Sequence, residues 1–150
     1  MRPIKILLAA TAGAALIAPG VVAAAAPASS STPTITLMKT NKGKLLSSNG
    51  FVLYRFSHDK SGSKNTCVTI PGCAMAWPAL TTSDTPTTGP GVKKSLLSTT
   101  KLPNGKKQVT YAGHPIYKYA FGTKHSTSYV GVNISGGFWY GVNANGQAVK

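Results

Sequence analysis

The chain has 150 residues and a formal net charge of +14, because 16 Lys and Arg residues face only two acids, Asp59 and Asp84. Glycoside hydrolysis generally uses a pair of carboxylates, and two acids in the whole chain leave little room for one. The length suits one domain with a real hydrophobic core. The cations are spread through turns and loops, a pattern that favours encounter with polyanions.

The first 28 residues have the layout of a secretory signal peptide. A short basic start precedes an apolar, alanine-rich run that ends in small residues. Cleavage after Ala28 or Ala25 fits, and the alternative is an uncleaved membrane anchor, because the run is almost long enough to span. The region has no Cys that could carry a lipid. We therefore predict a secreted protein with a polar linker over residues 29–34, no membrane span after cleavage and a mature charge of about +12.

Residues 37–56 align without a gap with residues 100–119, at an offset of 63. Four of the twenty columns are identical, where chance predicts about one, and Tyr54 aligns with Tyr117. Trp77 and Trp139 lie beyond the aligned segments and are separated by 62 residues, nearly the same offset. This self-similarity predicts an internal duplication of two copies.

Each copy has the pattern strand, turn, strand, turn, strand. The turns carry Asn and Gly, which tolerate the positive φ of tight hairpins. Residues 52–56 alternate, which predicts Val52, Tyr54 and Phe56 on one face and Leu53 and Arg55 on the other. A last hairpin is predicted around residues 145–146.

The predicted fold class is therefore all-β, with two related antiparallel β-meander repeats in one compact, sandwich- or barrel-like domain. The domain is predicted over residues 35–150, with repeats at about 36–80 and 99–150 and a looser connection over 81–91. The segment CAMAWPAL, residues 73–80, predicts one helical turn that Pro78 ends.

The segments LYRFSHDKSG, CAMAWPAL, GHPIYKYAFG and GGFWYGVNANG resemble a family of bacterial secreted repeat proteins, many of them predicted lipoproteins. That family is recognised by a Tyr-x4-Asp motif, also described as Tyr-x-aromatic-x-x-Asp. The resemblance runs from about Thr36 to the C-terminus, and it implies no established biochemical activity. The matching positions are Tyr54, Phe56 and Asp59 in the first copy, Tyr117 and Tyr119 in the second, and Cys67, Cys73 and Trp77-Pro78 between them. The second copy has Gly122 where the motif has Asp.

Asp59 directly follows a predicted strand and opens the turn DKSGSK. A carboxylate there can accept backbone N–H bonds and tie the loop down. The alternative is a cation site made of Asp59, Ser61 and Ser63, although calcium usually takes several charged oxygens.

Cys67 and Cys73 enclose a short loop with a Pro-Gly turn. In an oxidising compartment such a pair predicts a disulfide. The alternative is a metal or redox pair that includes Met75 or a histidine.

The three histidines, His58, His114 and His125, could meet and bind copper or zinc. Their scattered turn and edge positions favour no metal site, and we predict none and no cofactor. Trp77, Trp139 and the six tyrosines are most simply core residues. A subset of them could instead form a sugar-stacking face.

The sequence favours a non-enzymatic extracellular or cell-envelope module that is attracted to polyanions. The expected partners are an anionic cell-wall polymer, polysaccharide or lipid surface, and no specific nucleic acid. The candidate polyanion-binding residues are Lys93, Lys94, Lys106 and Lys107. One alternative is a metal-binding or electron-transfer accessory protein, and another is a hydrolase or transpeptidase that uses Cys73 or an Asp. A further alternative is that the charge serves solubility alone.

Overall fold

The computed structural model describes residues 32–62 and 64–150, together with Gly20. The rest of the predicted signal peptide, residues 29–31 of the predicted linker and Ser63 lie outside the described residues. Among the residues that are described, no helix has the length and apolar character needed to cross a bilayer.

The fold is all-β, as predicted. In the described ranges there are twelve strands, one short α-helix and two single 3-10 turns. The strands are β1 (Thr34–Thr40), β2 (Gly43–Ser48), β3 (Phe51–Val52), β4 (Tyr54–Phe56), β5 (Thr81–Thr82), β6 (Thr87–Thr88), β7 (Leu97–Lys101), β8 (Lys107–Tyr111), β9 (His114–Pro115), β10 (Val132–Ile134), β11 (Gly137–Val142) and β12 (Ala148–Val149). The helix α1 (Cys73–Ala76) is the single turn predicted before Pro78.

Tight hairpin turns link β2 to β3 and β8 to β9. Asn49 and Gly50 have φ values of 51° and 83°, and Ala112 and Gly113 have 49° and 78°. Two successive residues with positive φ are typical of a type I′ turn, whose twist matches that of the paired strands. Both hairpin turns therefore lie where the sequence predicted them. Ala112 adopts a left-handed backbone conformation, which is uncommon for residues other than Gly.

The strands form three four-stranded sheets. The first has the order β3-β2-β1-β6, the second has β10-β11-β12 with β4 beside β11, and the third has β5-β8-β7 with β9 beside β8. The connection over residues 81–91 is more ordered than predicted, because its threonine pairs form β5 and β6. Strand β6 runs parallel to β1, which departs from a purely antiparallel arrangement.

Two clusters of buried side chains form the core. Val52, Tyr54 and Phe56 belong to one cluster and Leu53 to the other, which confirms the predicted alternation along this stretch. The first cluster also contains both tryptophans and both cysteines.

Backbone hydrogen bonds repeat at the 63-residue offset. Tyr54 and Tyr117 exchange N–H···O bonds of 3.0 and 2.9 Å. The N–H of Gly62 donates to Gly113 O at 2.8 Å, and the N–H of His125 donates to Gly50 O at the same distance. Reciprocal contacts between equivalent residues are what a two-fold axis produces. The two halves are thus related by a local two-fold axis that passes between Tyr54 and Tyr117.

The first hairpin of each half departs from this equivalence by one residue. Leu37 lies opposite Leu46, whereas Thr99, and not Thr100, lies opposite Val109. The cause is the connection, because two residues join β1 to β2 and five join β7 to β8. The ungapped alignment therefore fits β2 and β8, but it misplaces β7 by one position.

Candidate functional site

The carboxylate of Asp59 lies inside the protein, with the residue only 1% exposed. Its Oδ1 accepts the backbone N–H of Thr66 at 2.9 Å and the Thr66 hydroxyl at 2.6 Å. Its Oδ2 accepts the hydroxyl of Tyr117, which belongs to the other half of the molecule. The motif acid therefore closes its own loop and also joins the two halves.

The same polar cluster continues through three amides. The Asn65 side chain donates to Gln108 Oε1 at 3.0 Å, and Gln108 Nε2 donates to Ile116 O at 2.9 Å. Burial, followed by the hydrogen bond and charge of Asp59, raises the pKa of Tyr117 far above its usual value. A proton on that hydroxyl is what the Asp59 carboxylate needs, so the arrangement holds a fixed hydrogen bond rather than a reactive pair.

Ser61 does not join Asp59 in a cation site. Its hydroxyl donates to Ala112 O at 3.2 Å, while both Asp59 oxygens accept hydrogen bonds from protein groups. The Asp59 carboxylate thus has the loop-tying role that was one of the two interpretations of the sequence.

The second half has different residues at the positions equivalent to Asp59 and Thr66. Gly122 stands in place of Asp59, and Tyr129 stands in place of Thr66 at the 63-residue offset. The Tyr129 ring lies 3.9 Å from the Tyr119 ring, centroid to centroid. Hydrogen bonding with Tyr129, then burial, raises the pKa of Tyr119. The second copy has therefore exchanged an acid–hydroxyl contact for an aromatic pair.

A column of aromatic rings crosses the two-fold axis. Trp77 and Trp139 stack at 4.0 Å between centroids with an interplanar angle of 4°. Phe56 stacks on the outer face of Trp139 at 4.3 Å, and Tyr119 lies against Trp77 at 4.5 Å. Both tryptophans are fully buried. They are core residues, so the alternative of a sugar-stacking face is wrong for these two.

The indole groups differ in one respect. Trp139 Nε1 donates to Ile134 O at 3.0 Å, whereas the buried Trp77 Nε1 has no hydrogen-bond partner among the described residues.

Cys67 and Cys73 form the predicted disulfide, with their Cα atoms 5.4 Å apart. Both are completely buried, and α1 begins at Cys73. In the disulfide, the two sulfur atoms are not free to act as a nucleophile or as metal ligands. The Met75 side chain lies on the surface, with the residue 74% exposed.

The histidines are held separately. His58 Nε2 lies 2.8 Å from Gly136 O, and His114 Nδ1 lies 2.9 Å from Asp59 O. Burial lowers the pKa of His114. In the parts of the chain that are described, no three His, Cys, Asp or Glu residues converge as metal ligands would.

The four candidate polyanion-binding lysines are exposed but do not form one patch. Lys106 and Lys107 lie at the tip of the β7–β8 hairpin, where Lys101 is the cross-strand partner of Lys107. Lys93 and Lys94 lie just before β7, at the opposite end of that hairpin.

The first half has a similar lysine tip, which the sequence analysis did not single out. Lys39 and Lys44 are cross-strand partners at the end of the β1–β2 hairpin, and Lys42 lies in the turn between them. The sequence clue to this similarity was the alignment of Lys44 with Lys107. The similarity of the two tips became visible only with the strand register, because the cross-strand partners Lys39 and Lys101 do not align in the ungapped comparison.

Comparison with known proteins adds no identity, since no family model, curated protein or solved structure matches this chain. The resemblance to the secreted repeat family stays a prediction.

Proposed function

We propose that the protein is a non-enzymatic, secreted module that binds anionic polymers of the cell envelope through two lysine tips. We define these tips as Lys39, Lys42 and Lys44 on the β1–β2 hairpin, and Lys101, Lys106 and Lys107 on the β7–β8 hairpin. The observation that carries the proposal is that each tip holds a cross-strand pair of exposed lysines.

Like charges directly opposite one another destabilise an antiparallel pair. Neither tip contains an acidic residue of its own, although Asp84 lines the same surface depression as Lys107 of the β7–β8 tip. Asp59 is buried, and Asp84 accepts hydrogen bonds from Thr32 and Ser83. An external polyanion would relieve the repulsion at both tips.

The cysteine and the buried acid that could carry out catalysis are both engaged in structural interactions. Cys73 is bound in a disulfide, and both oxygens of the Asp59 carboxylate accept hydrogen bonds inside the protein. A nucleophilic thiol or a freely titrating acid is what a transpeptidase or hydrolase of this kind requires.

The test is co-sedimentation with isolated cell wall, and binding to polygalacturonate and to vesicles of anionic phospholipid, at rising salt. Charge reversal of either tip, as Lys39/Lys42/Lys44→Glu or Lys101/Lys106/Lys107→Glu, should weaken binding about tenfold or more. The control is Lys60/Lys93/Lys94→Glu, which changes the net charge equally but leaves both tips intact.

Binding through exposed lysines should decline steeply as salt rises, since charges are screened over about 8 Å at physiological ionic strength. An equal loss in the control variant would show that net charge alone matters and that the tips are not sites. Failure to bind any of the three surfaces at low salt would overturn the proposal. The three surfaces separate a polysaccharide from a lipid source of negative charge.

A further inference from the structure

An open groove lies where the N-terminal strand, the β2–β3 turn and the chain after α1 meet. Its volume is about 560 Å3, within the range of about 300–1,000 Å3 that is typical of small-molecule sites. Phe51, Pro78 and Leu80 supply apolar surface. The lining residues also include Ser48, Asn49, Thr81 and Lys118.

The local two-fold axis gives this groove a counterpart that is filled. Four polar lining positions have equivalents at an offset of 63, or of 62 in the tryptophan segment. The equivalents of Ser48, Asn49, Lys118 and Thr81 are Tyr111, Ala112, Arg55 and Asn143. The offset of 62 follows from the pairing of Ala79 with Tyr117 and of Gly141 with Tyr54.

In the filled half, the β11–β12 turn over residues 143–147 occupies the space. Arg55 donates to Gly146 O at 3.1 Å, and the Tyr111 hydroxyl donates to Ala144 O at 2.8 Å. Asn143 Oδ1 accepts the N–H groups of residues 145 and 147. Arg55 and Tyr111 thus donate to the turn, and Asn143 bonds within it, whereas the buried Arg55 Nε has no partner among the described residues.

In the open half, the corresponding side chains have no such partner. The side chains of Ser48, Asn49, Thr81 and Lys118 make no hydrogen bond or ion pair with any residue that the structure describes. Lys118 replaces Arg55 as the cation, and the described residues that line the groove include no acid. Together these groups present hydroxyl and amide hydrogen-bonding atoms beside the Lys118 ammonium group.

We propose that this groove binds an acidic sugar unit, with the sugar carboxylate on Lys118 and the sugar hydroxyls on Ser48, Asn49 and Thr81. A carboxylate is the natural acceptor for an unpaired ammonium group, and hydroxyls can both donate to and accept from the remaining side chains. Phe51 is half-buried and offers an apolar edge for a sugar ring. Tyr119 contributes less, because Trp77 and Tyr129 lie close to it on the ring column.

This inference goes beyond the lysine tips, which contain none of the groove residues. It predicts a saturable site for a single sugar unit, whereas the tips require a polymer with many charges. A short ligand therefore tests the groove without testing the proposed function.

The experiment is an NMR titration of the purified protein with a glucuronate-containing disaccharide. Parallel titrations use a neutral glucose disaccharide and an acetylated dipeptide with a free carboxylate. The expected result is saturable shifts of the backbone amides of Asn49, Thr81 and Lys118 with the acidic sugar. The neutral sugar should bind at least tenfold more weakly.

Lys118→Met should reduce affinity for the acidic disaccharide about tenfold, because it keeps the alkyl chain and removes the charge. Lys93→Met, an exposed lysine outside the groove, is the matched control and should leave affinity unchanged. Both side chains are exposed, so neither change should unfold the protein.

Three outcomes would overturn the proposal. They are equal binding of the two sugars, binding of the dipeptide without the acidic sugar, and shifts confined to residues outside the groove. The dipeptide outcome would instead identify the groove as a peptide site, in keeping with the turn that fills its counterpart. Loss of polymer binding in the tip variants with intact disaccharide binding would leave this inference standing.

Discussion

Tyr54 and Tyr117 occupy equivalent positions, and what separates them is the group that each hydroxyl meets. Both rings are buried, and each packs edge-on against a tryptophan, at 5.2 Å for Tyr54 and 5.1 Å for Tyr117. Only Tyr117 donates to a carboxylate, that of Asp59. We expect Tyr117→Phe to lower the free energy of unfolding by about 2 kcal/mol, since a buried carboxylate loses a donor.

Tyr54→Phe is the matched control, because it removes a hydroxyl from the same strand position without touching Asp59. We expect it to cost less than about 1 kcal/mol. Urea denaturation of both variants measures the difference. Equal losses would mean that the bond between Tyr117 and Asp59 contributes nothing beyond the ring packing.

The buried tyrosines also predict instability in alkali. Burial, with smaller contributions from Tyr129 and Tyr119, raises the pKa of Tyr54 to about 12, against about 10 in an unfolded chain. The folded state therefore favours the protonated hydroxyl. The resulting stability is present below pH 10 and is lost as pH rises through 12. The unfolding free energy should decline over this window.

Tyr54→Phe should flatten that decline without abolishing it, because the pKa of Tyr117 is raised as well. The measurement is urea denaturation at a series of pH values from 9 upward. A variant with the same pH dependence as the parent protein would show that Tyr54 ionises freely in the folded state.

At the scale of single residues, the sequence predicted the structural role of Asp59 but not its main partner. The loop residue Thr66 lies seven positions away, within reach of a local turn argument. Tyr117 is 58 positions away, and only the pairing of the two halves brings it to the carboxylate. Long-range contacts of this kind do not follow from spacing or composition.

At the scale of elements, the two halves solve the same packing problem with different residue pairs. Asp59 with Thr66 in one half corresponds to Gly122 with Tyr129 in the other. The backbone is alike, since the N–H of residue 59 donates to Phe56 O at 3.1 Å and that of residue 122 to Tyr119 O at 3.2 Å. A Cβ at Gly122 would meet its nearest neighbour, Tyr119 O, at 3.3 Å. The position can therefore accept a side chain with a small shift.

A double-mutant cycle tests whether the two pairs are exchangeable. Gly122→Asp alone should destabilise by about 1–3 kcal/mol, because the carboxylate would stand at a half-buried position without the Thr66-type donor. Tyr129→Thr alone should also destabilise, through loss of its contact with the Tyr119 ring. The double variant should be more stable than the sum predicts by about 1 kcal/mol, since the new acid and hydroxyl would face each other and Tyr54.

Thermal or urea unfolding of the four proteins gives the coupling energy. The neutral control Gly122→Asn, combined with Tyr129→Thr, should show weaker coupling, because hydrogen bonds to a charged group are stronger. Additive effects in the aspartate cycle would mean that the two solutions depend on surroundings beyond these pairs.

The strands and hairpins of the repeats could be predicted from their local signals, and their pairing only in part. Alternation identified the two faces of residues 52–56, and Asn-Gly marked the β2–β3 turn. The register of β7 against β8 could not be predicted, because the longer connection between the two strands shifts their pairing by one residue. Strand β6 was also missed, since two threonines carry no hydrophobic period and their partner is distant in sequence.

At the scale of the whole molecule, two of the three described sheets draw strands from both halves, whereas the first sheet lies within residues 34–88. Strand β4 of the first half pairs with β11 of the second, and β5, which follows the first half, pairs with β8 of the second. The stacked pair of Trp77 and Trp139 lies between the halves. The second and third sheets and the aromatic column are therefore incomplete in either half alone.

The strand pairing and tryptophan stacking between the halves predict a single cooperative unfolding transition. Tryptophan fluorescence reports on the ring column at the two-fold axis, and far-UV circular dichroism reports on all three sheets. If the halves cannot persist separately, both signals should change at the same urea concentration and with the same slope, as two-state unfolding requires. Reduction of the Cys67–Cys73 disulfide should move both curves together, by about 2 kcal/mol in the chain-entropy account of a short loop.

The separated halves supply the control. Residues 32–92 alone should lack the β11 partner of β4 and the Trp139 partner of Trp77, and residues 93–150 alone should lack β5. We expect each fragment to show no cooperative transition, because its apolar strand faces would be open to water. A fluorescence change that precedes the circular dichroism change, or a fragment that unfolds cooperatively, would show instead that each half is a folding unit and that the shared column is a docking contact.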